Sequence, residues 1–147
     1  MIQLEDRPLY ACSVAEKETL LIDIAQILRL SKVARDEGLL ALEYEAAKIS
    51  CKFTVRGLLL IVDGTDPGLV KGILETAVFF GEATGAELLR LAIITEGLLS
   101  IQAGELFQIL KVKLLAFLGE EMACDPITSE KVDALCDTLS ANAKGGK

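Results

Sequence analysis

Ala86-Glu87-Leu88-Leu89-Arg90-Leu91-Ala92-Ile93-Ile94-Thr95-Glu96-Gly97-Leu98-Leu99-Ser100-Ile101-Gln102-Ala103 is the stretch that decides how this chain folds. Its middle, Leu91-Ala92-Ile93-Ile94, holds no residue that favours a turn. The stretch therefore reads as one unbroken helix, with Gly97 inside it at a cost of about 1 kcal/mol relative to alanine. Leu88, Leu89, Leu91, Ile93, Ile94, Leu98, Leu99 and Ile101 would point in most directions around that helix, and a helix apolar nearly all round must be buried on several sides. One chain of 147 residues is a small cover for it. The expectation is a homodimer or higher oligomer with Leu91, Ile94, Leu98 and Ile101 at its interface, formed by exchange of the C-terminal part between chains.

Outward from this stretch the sequence predicts an all-α domain of about six or seven helices over residues 1–143, with 144–147 as a flexible tail. Ser13 and Glu16 form a capping box that opens a helix from Val14 to Asp36, with Leu20, Ile24, Ile27 and Leu28 inward. Gly38 punctuates it, and Leu39 to Ile49 is rich in helix formers. Phe53 to Val62 fits a buried strand or a helix by pattern, and helix is preferred because nothing else in the chain could pair with a strand. Asp66 and Pro67 cap and start the next helix, whose Leu69, Val70, Ile73, Leu74, Ala77 and Val78 recur on one face. Further helices are expected from Glu105 to Met122 and from Ser129 to Ala141, the last with Val132, Leu135, Cys136 and Leu139 inward.

Apolar residues make up 52% of the chain, which raises the question of a membrane span. The most apolar stretches are too short or are interrupted by Arg90 and Glu96, and the first ten residues lack the apolar run of a secretory leader. A cytoplasmic location is the reading. A net charge of −7 would repel a nucleic-acid backbone. The cysteines 12, 51, 124 and 136 have no metal spacing and no histidine to join them, so no metal or other cofactor is expected. They read as small, partly buried free thiols; a redox sensor would need a basic neighbourhood, which only Cys51 beside Lys52 hints at. With no histidine, no phosphate-binding loop and no nucleophile elbow, the chain is read as having no catalytic residues.

Two stretches carry a resemblance. The first spans residues 34–92, with Ala34-Arg35-Asp36-Glu37-Gly38-Leu39-Leu40-Ala41-Leu42-Glu43 and Gly57-Leu58-Leu59-Leu60-Ile61-Val62-Asp63-Gly64-Thr65-Asp66-Pro67-Gly68-Leu69-Val70 as its most specific parts. The second is Glu96-Gly97-Leu98-Leu99-Ser100-Ile101-Gln102-Ala103-Gly104-Glu105, followed by Lys113-Leu114-Leu115-Ala116-Phe117-Leu118. In this order they resemble the two cytoplasmic segments of the MotA/PomA family of flagellar stator subunits, with all the membrane helices absent. The resemblance implies that Arg35 and Glu43, with Asp36 and Glu37 beside them, engage a protein partner, either the rotor's switch protein or stator subunits. Without spans, ion conduction is excluded as this chain's own activity.

Read by themselves, Asp36, Glu37, Glu43 and Glu45 fit a solvated helix face on which Arg35 makes a local ion pair. In the family Asn-Pro follows the position of Glu105, whereas Leu106-Phe107 stand here, so that turn is expected to be lost. The function expected is a MotA-like interaction module that does not conduct ions. The alternatives are a self-assembling helical module unrelated to motility and a helical domain that binds a small molecule.

Overall fold

The computed structural model describes residues 4–145, with side chains over residues 5–143. Among the described residues nine α-helices follow a 3₁₀ segment, Leu4–Tyr10: α1 Val14–Thr19, α2 Leu21–Glu37, α3 Ala41–Ala46, α4 Lys52–Val62, α5 Pro67–Phe79, α6 Gly85–Ala103, α7 Phe107–Ala116, α8 Glu120–Ala123 and α9 Pro126–Gly145. The chain is all-α, and the described residues contain no strand. No described helix is long and apolar enough to cross a membrane.

Two of the seven expected helices are split, which accounts for nine. The helix expected over residues 14–36 breaks at Leu20, whose N–H bonds the oxygen of Lys17 while its own oxygen receives Asp23, both tight three-residue turns. The break turns Leu20 and Leu21 together into the core, while α1 buries nothing. The second split falls at Gly119, whose φ of +90° ends the α7 region before α8 begins. The helix expected over residues 39–49 shrinks to α3, with hydrogen-bonded turns on either side. At the C-terminus, α9 reaches Gly145, so the first two residues of the expected tail are helical; residues 146 and 147 lie outside the described residues.

The caps are as read from the sequence. Ser13 Oγ accepts from Glu16 N–H at 3.1 Å, and the Glu16 carboxylate accepts from Ser13 N–H at 3.0 Å. Asp66 accepts from Gly68 N–H at 2.9 Å, with Pro67 opening α5. The ambiguous segment is helix α4.

At the centre α2 packs on α6, with α3, α7 and α9 against α2, and the 3₁₀ segment, α4 and α5 against α6. Leu20, Ile24, Ile27 and Leu28 are all buried there. Each such side chain contributes about 1.5–3 kcal/mol. The middle helix is unbroken across Ala92–Thr95, and Thr95 Oγ1 donates to the Leu91 oxygen inside it. Its apolar surround is real, but one chain covers it. Ile94, Leu98 and Ile101 are fully buried within the monomer and Leu91 is half-buried. The interface assigned to those four residues is therefore corrected for three of them: Ile94, Leu98 and Ile101 are core, because five neighbouring elements enclose α6.

Candidate functional site

The residues singled out for partner binding collect where α2 turns into α3. Arg35 closes the last turn of α2, Asp36 and Glu37 end it, and Glu43 sits on the first turn of α3. All four are exposed, as are Leu39, Leu40 and Tyr44 between and beside them. Among the described residues, no ion pair or side-chain hydrogen bond engages Asp36, Glu37 or Glu43.

Arg35 differs from its expected role as a local ion pair. Its Nη2 donates to the main-chain oxygens of Gly104 at 3.1 Å and Glu105 at 3.3 Å. These carbonyls lie just past α6, whose end is capped by Gly104 in the left-handed conformation, φ +73° and ψ +28°. Gly104 N–H bonds the oxygen of Ile101 and Glu105 N–H bonds that of Ser100, which is the reach of a Schellman closure. A turn therefore forms ahead of Leu106-Phe107, where its loss was expected. Glycine supplies the conformation, and Leu106 re-enters as the extended residue before α7.

Behind this contact stands a second one. Lys113 Nζ reaches Glu96 at 2.8 Å, Glu105 at 2.9 Å and Ser100 Oγ at 2.8 Å. Partial burial opposes its charge, yet the two carboxylates outweigh burial and hold the ammonium above its ordinary range. Elsewhere the two resembling stretches also meet. Gln102 Nε2 donates to the Thr65 oxygen at 2.8 Å. A side chain at Gly57 would collide with Leu98, and one at Gly97 would lie 2.5 Å from Ile27 Cγ2. Gly97 thus faces Ile27 of α2 with no room for a side chain, a reason for glycine that helix propensity alone does not provide.

Glu45 is not on a solvated face. It is buried in an ion pair with Arg29, 2.8 Å apart, their side chains 9% and 7% exposed. Gln26 accepts from Arg29 Nε at 3.0 Å, and Lys48 approaches the other Glu45 oxygen at 3.9 Å. Sequence reasoning missed this pair because Arg29 sits in α2 and Glu45 in α3, with no spacing rule to join them. The one available signal was charge within the apolar run of α2, where Arg29 interrupts Ile27-Leu28 and Leu30.

On α6, Arg90 donates to Asp23 at 3.0 Å and to Glu87 at 3.1 Å. Cys51, at the N-cap of α4, lies beside the same guanidinium and Thr54. Burial pushes the Cys51 thiol up, but hydrogen bonding from Thr54 and the Arg90 charge outweigh it and hold the thiol below its usual range. The basic neighbour is therefore Arg90, brought by the fold, more than Lys52. Cys136 is buried and Cys12 half-buried, whereas Cys124 is exposed and so departs from the expected partial burial. Glu120, 3.3 Å from its sulfur, pushes that thiol up.

A groove of about 840 Å³ opens along α6 between the 3₁₀ segment and α5, floored by Leu9, Val78, Leu88, Ala92 and Leu99. Its rim charges are solvated or paired: Lys71 and Glu75 are half-exposed, and Glu96 is held by Lys113. Compared with protein-family models, curated proteins and solved structures, the chain matches none.

Proposed function

We propose that the chain is a non-conducting, MotA-like cytoplasmic interaction module whose α2–α3 corner binds a protein partner, the flagellar switch protein or stator subunits. The observation that carries the reading is the state of the corner's charges. Arg35 is engaged by the end of α6, while Asp36, Glu37 and Glu43 stand exposed around Leu39, Leu40 and Tyr44. Three carboxylates around an apolar centre suit a partner with a basic rim, and exposed charges of this kind set encounter rate and register more than affinity. Arg35 acts as a positioning residue, tying the corner to α6.

The test is binding of the purified full chain to purified switch protein, measured by calorimetry at two salt concentrations. Glu43→Lys and Asp36→Lys are expected to weaken binding on the order of tenfold at low salt, with the loss shrinking at high salt. Both residues are surface-exposed, so circular dichroism should be unchanged. Absent binding by the wild-type chain, or equal binding by all three proteins, would sink the proposal. Reading the chain instead as a self-assembling module is favoured by one observation, the exposed outer face of α5.

A further inference from the structure

Among the described residues helix α5 packs chiefly on α4 and α6, and its outward side chains are exposed. Val70 and Leu74 face inward, but Leu69 and Ile73, expected on the same buried face, are 61% and 40% exposed. Phe79 and Phe80 at its end are 79% and 80% exposed and stack edge to face on each other, 5.0 Å apart. With aromatic side chains of roughly 150–250 Å² each, these four residues leave on the order of 500 Å² of apolar surface uncovered.

At helical spacing this surface has a definite layout. Gly68, Gly72 and Thr76 run along its middle, with Phe79 in line beyond them, and a Cβ added at Gly72 would meet no atom of the chain within 4 Å. Leu69, Ile73 and Phe80 form one flank; Lys71 and Glu75, 3.9 Å apart and half-exposed, form the other. A middle that is low at its glycine end and raised by Phe79 at the other accepts an antiparallel helix, the ring of each copy over the glycine end of its partner. In an antiparallel pair, like flanks meet. A twofold axis at Ile73 would then set Lys71 of each copy opposite Glu75 of the other, and join the two apolar flanks.

We propose that the outer face of α5 is a self-association surface on which a second copy of this chain docks antiparallel, paired through Lys71 and Glu75. The charge distribution selects a second copy. The chain carries −7 overall, yet this face presents one cation and one anion, so two copies can meet on it without local charge repulsion. The area agrees. Two copies remove on the order of 1,000 Å² through the four apolar residues, and the glycine strip with the Lys71 and Glu75 stems brings the total to about the 1,200 Å² of a specific interface. The surface uses none of the α2–α3 corner residues, so it stands or falls independently of the switch-protein reading.

Size-exclusion chromatography with light scattering on the full chain tests it. At tens of micromolar the expected mass is twice 15.8 kDa. Lys71→Glu and Glu75→Lys should each raise the dimer dissociation constant at least tenfold without changing the circular dichroism. Mixing the two variants should restore a dimer, because the two carboxylates on the face of one variant then meet the two ammonium groups on the face of the other. A wild-type monomer at every concentration overturns the proposal, and so does a dimer unmoved by either charge reversal. Flotation of a monomeric chain with phosphatidylcholine vesicles would overturn it too, by assigning the face to lipid.

Discussion

Arg35 Nη2 lies 3.1 Å from the main-chain oxygen of Gly104, a contact made across 69 residues of chain. A guanidinium there satisfies carbonyls of the turn that closes α6 and meets the negative end of the helix dipole. The first resembling stretch is thereby fastened to the second. Gln102 on Thr65 and Gly97 against Ile27 fasten α6 to its neighbours in the same way. Much of what makes the motifs distinctive holds helices together, whereas the carboxylates of the corner stay exposed.

Gly97→Ala should destabilise the chain by about 1–3 kcal/mol, although alanine is the better helix former by about 1 kcal/mol. The added methyl has to displace Ile27. Combined with Ile27→Ala, the cost should fall well short of the sum of the two single changes, as read from urea unfolding midpoints. Additive costs would show that the helices are not in contact there.

Glu45→Ala should cost about 3–5 kcal/mol, because it strands the Arg29 charge in the core. The double change Arg29→Met with Glu45→Leu should recover most of that loss, since two apolar groups need no partner. Urea unfolding measures both. A single-variant cost under about 1 kcal/mol would mean that water reaches the pair.

Among the four thiols, Cys51 should alkylate fastest at pH 7 in the folded protein, ahead of the more exposed Cys124. Arg90→Met should slow it. The linkage has a definite sign. A thiol held below its unfolded value of about 8.5 adds stability above that value, and the contribution is lost as pH falls through the folded value. Relative to Cys51→Ser, the wild type should therefore gain stability as pH rises from about 6 to about 9. Faster labelling at Cys124, read by mass spectrometry of the peptides, would contradict the assignment.

The sequence by itself determined the helical class, the caps at Ser13 and Asp66, the unbroken α6 and the inward face of α2, because each depends on residues within a few positions of one another. Periodicity and capping are local physics. What it left undetermined depends on which helix lies beside which. The expectation that α6 needs a second chain failed because the number of covering neighbours is a property of the packing. The burial of Glu45, the engagement of Arg35 by α6 and the effect of the Arg90 charge on Cys51 likewise join residues far apart in the chain. Tertiary structure also decided where apolar surface was left over. Leu69 and Ile73 share a helical stripe with buried residues, yet α5 is covered from one side only, so half of that stripe stays in water.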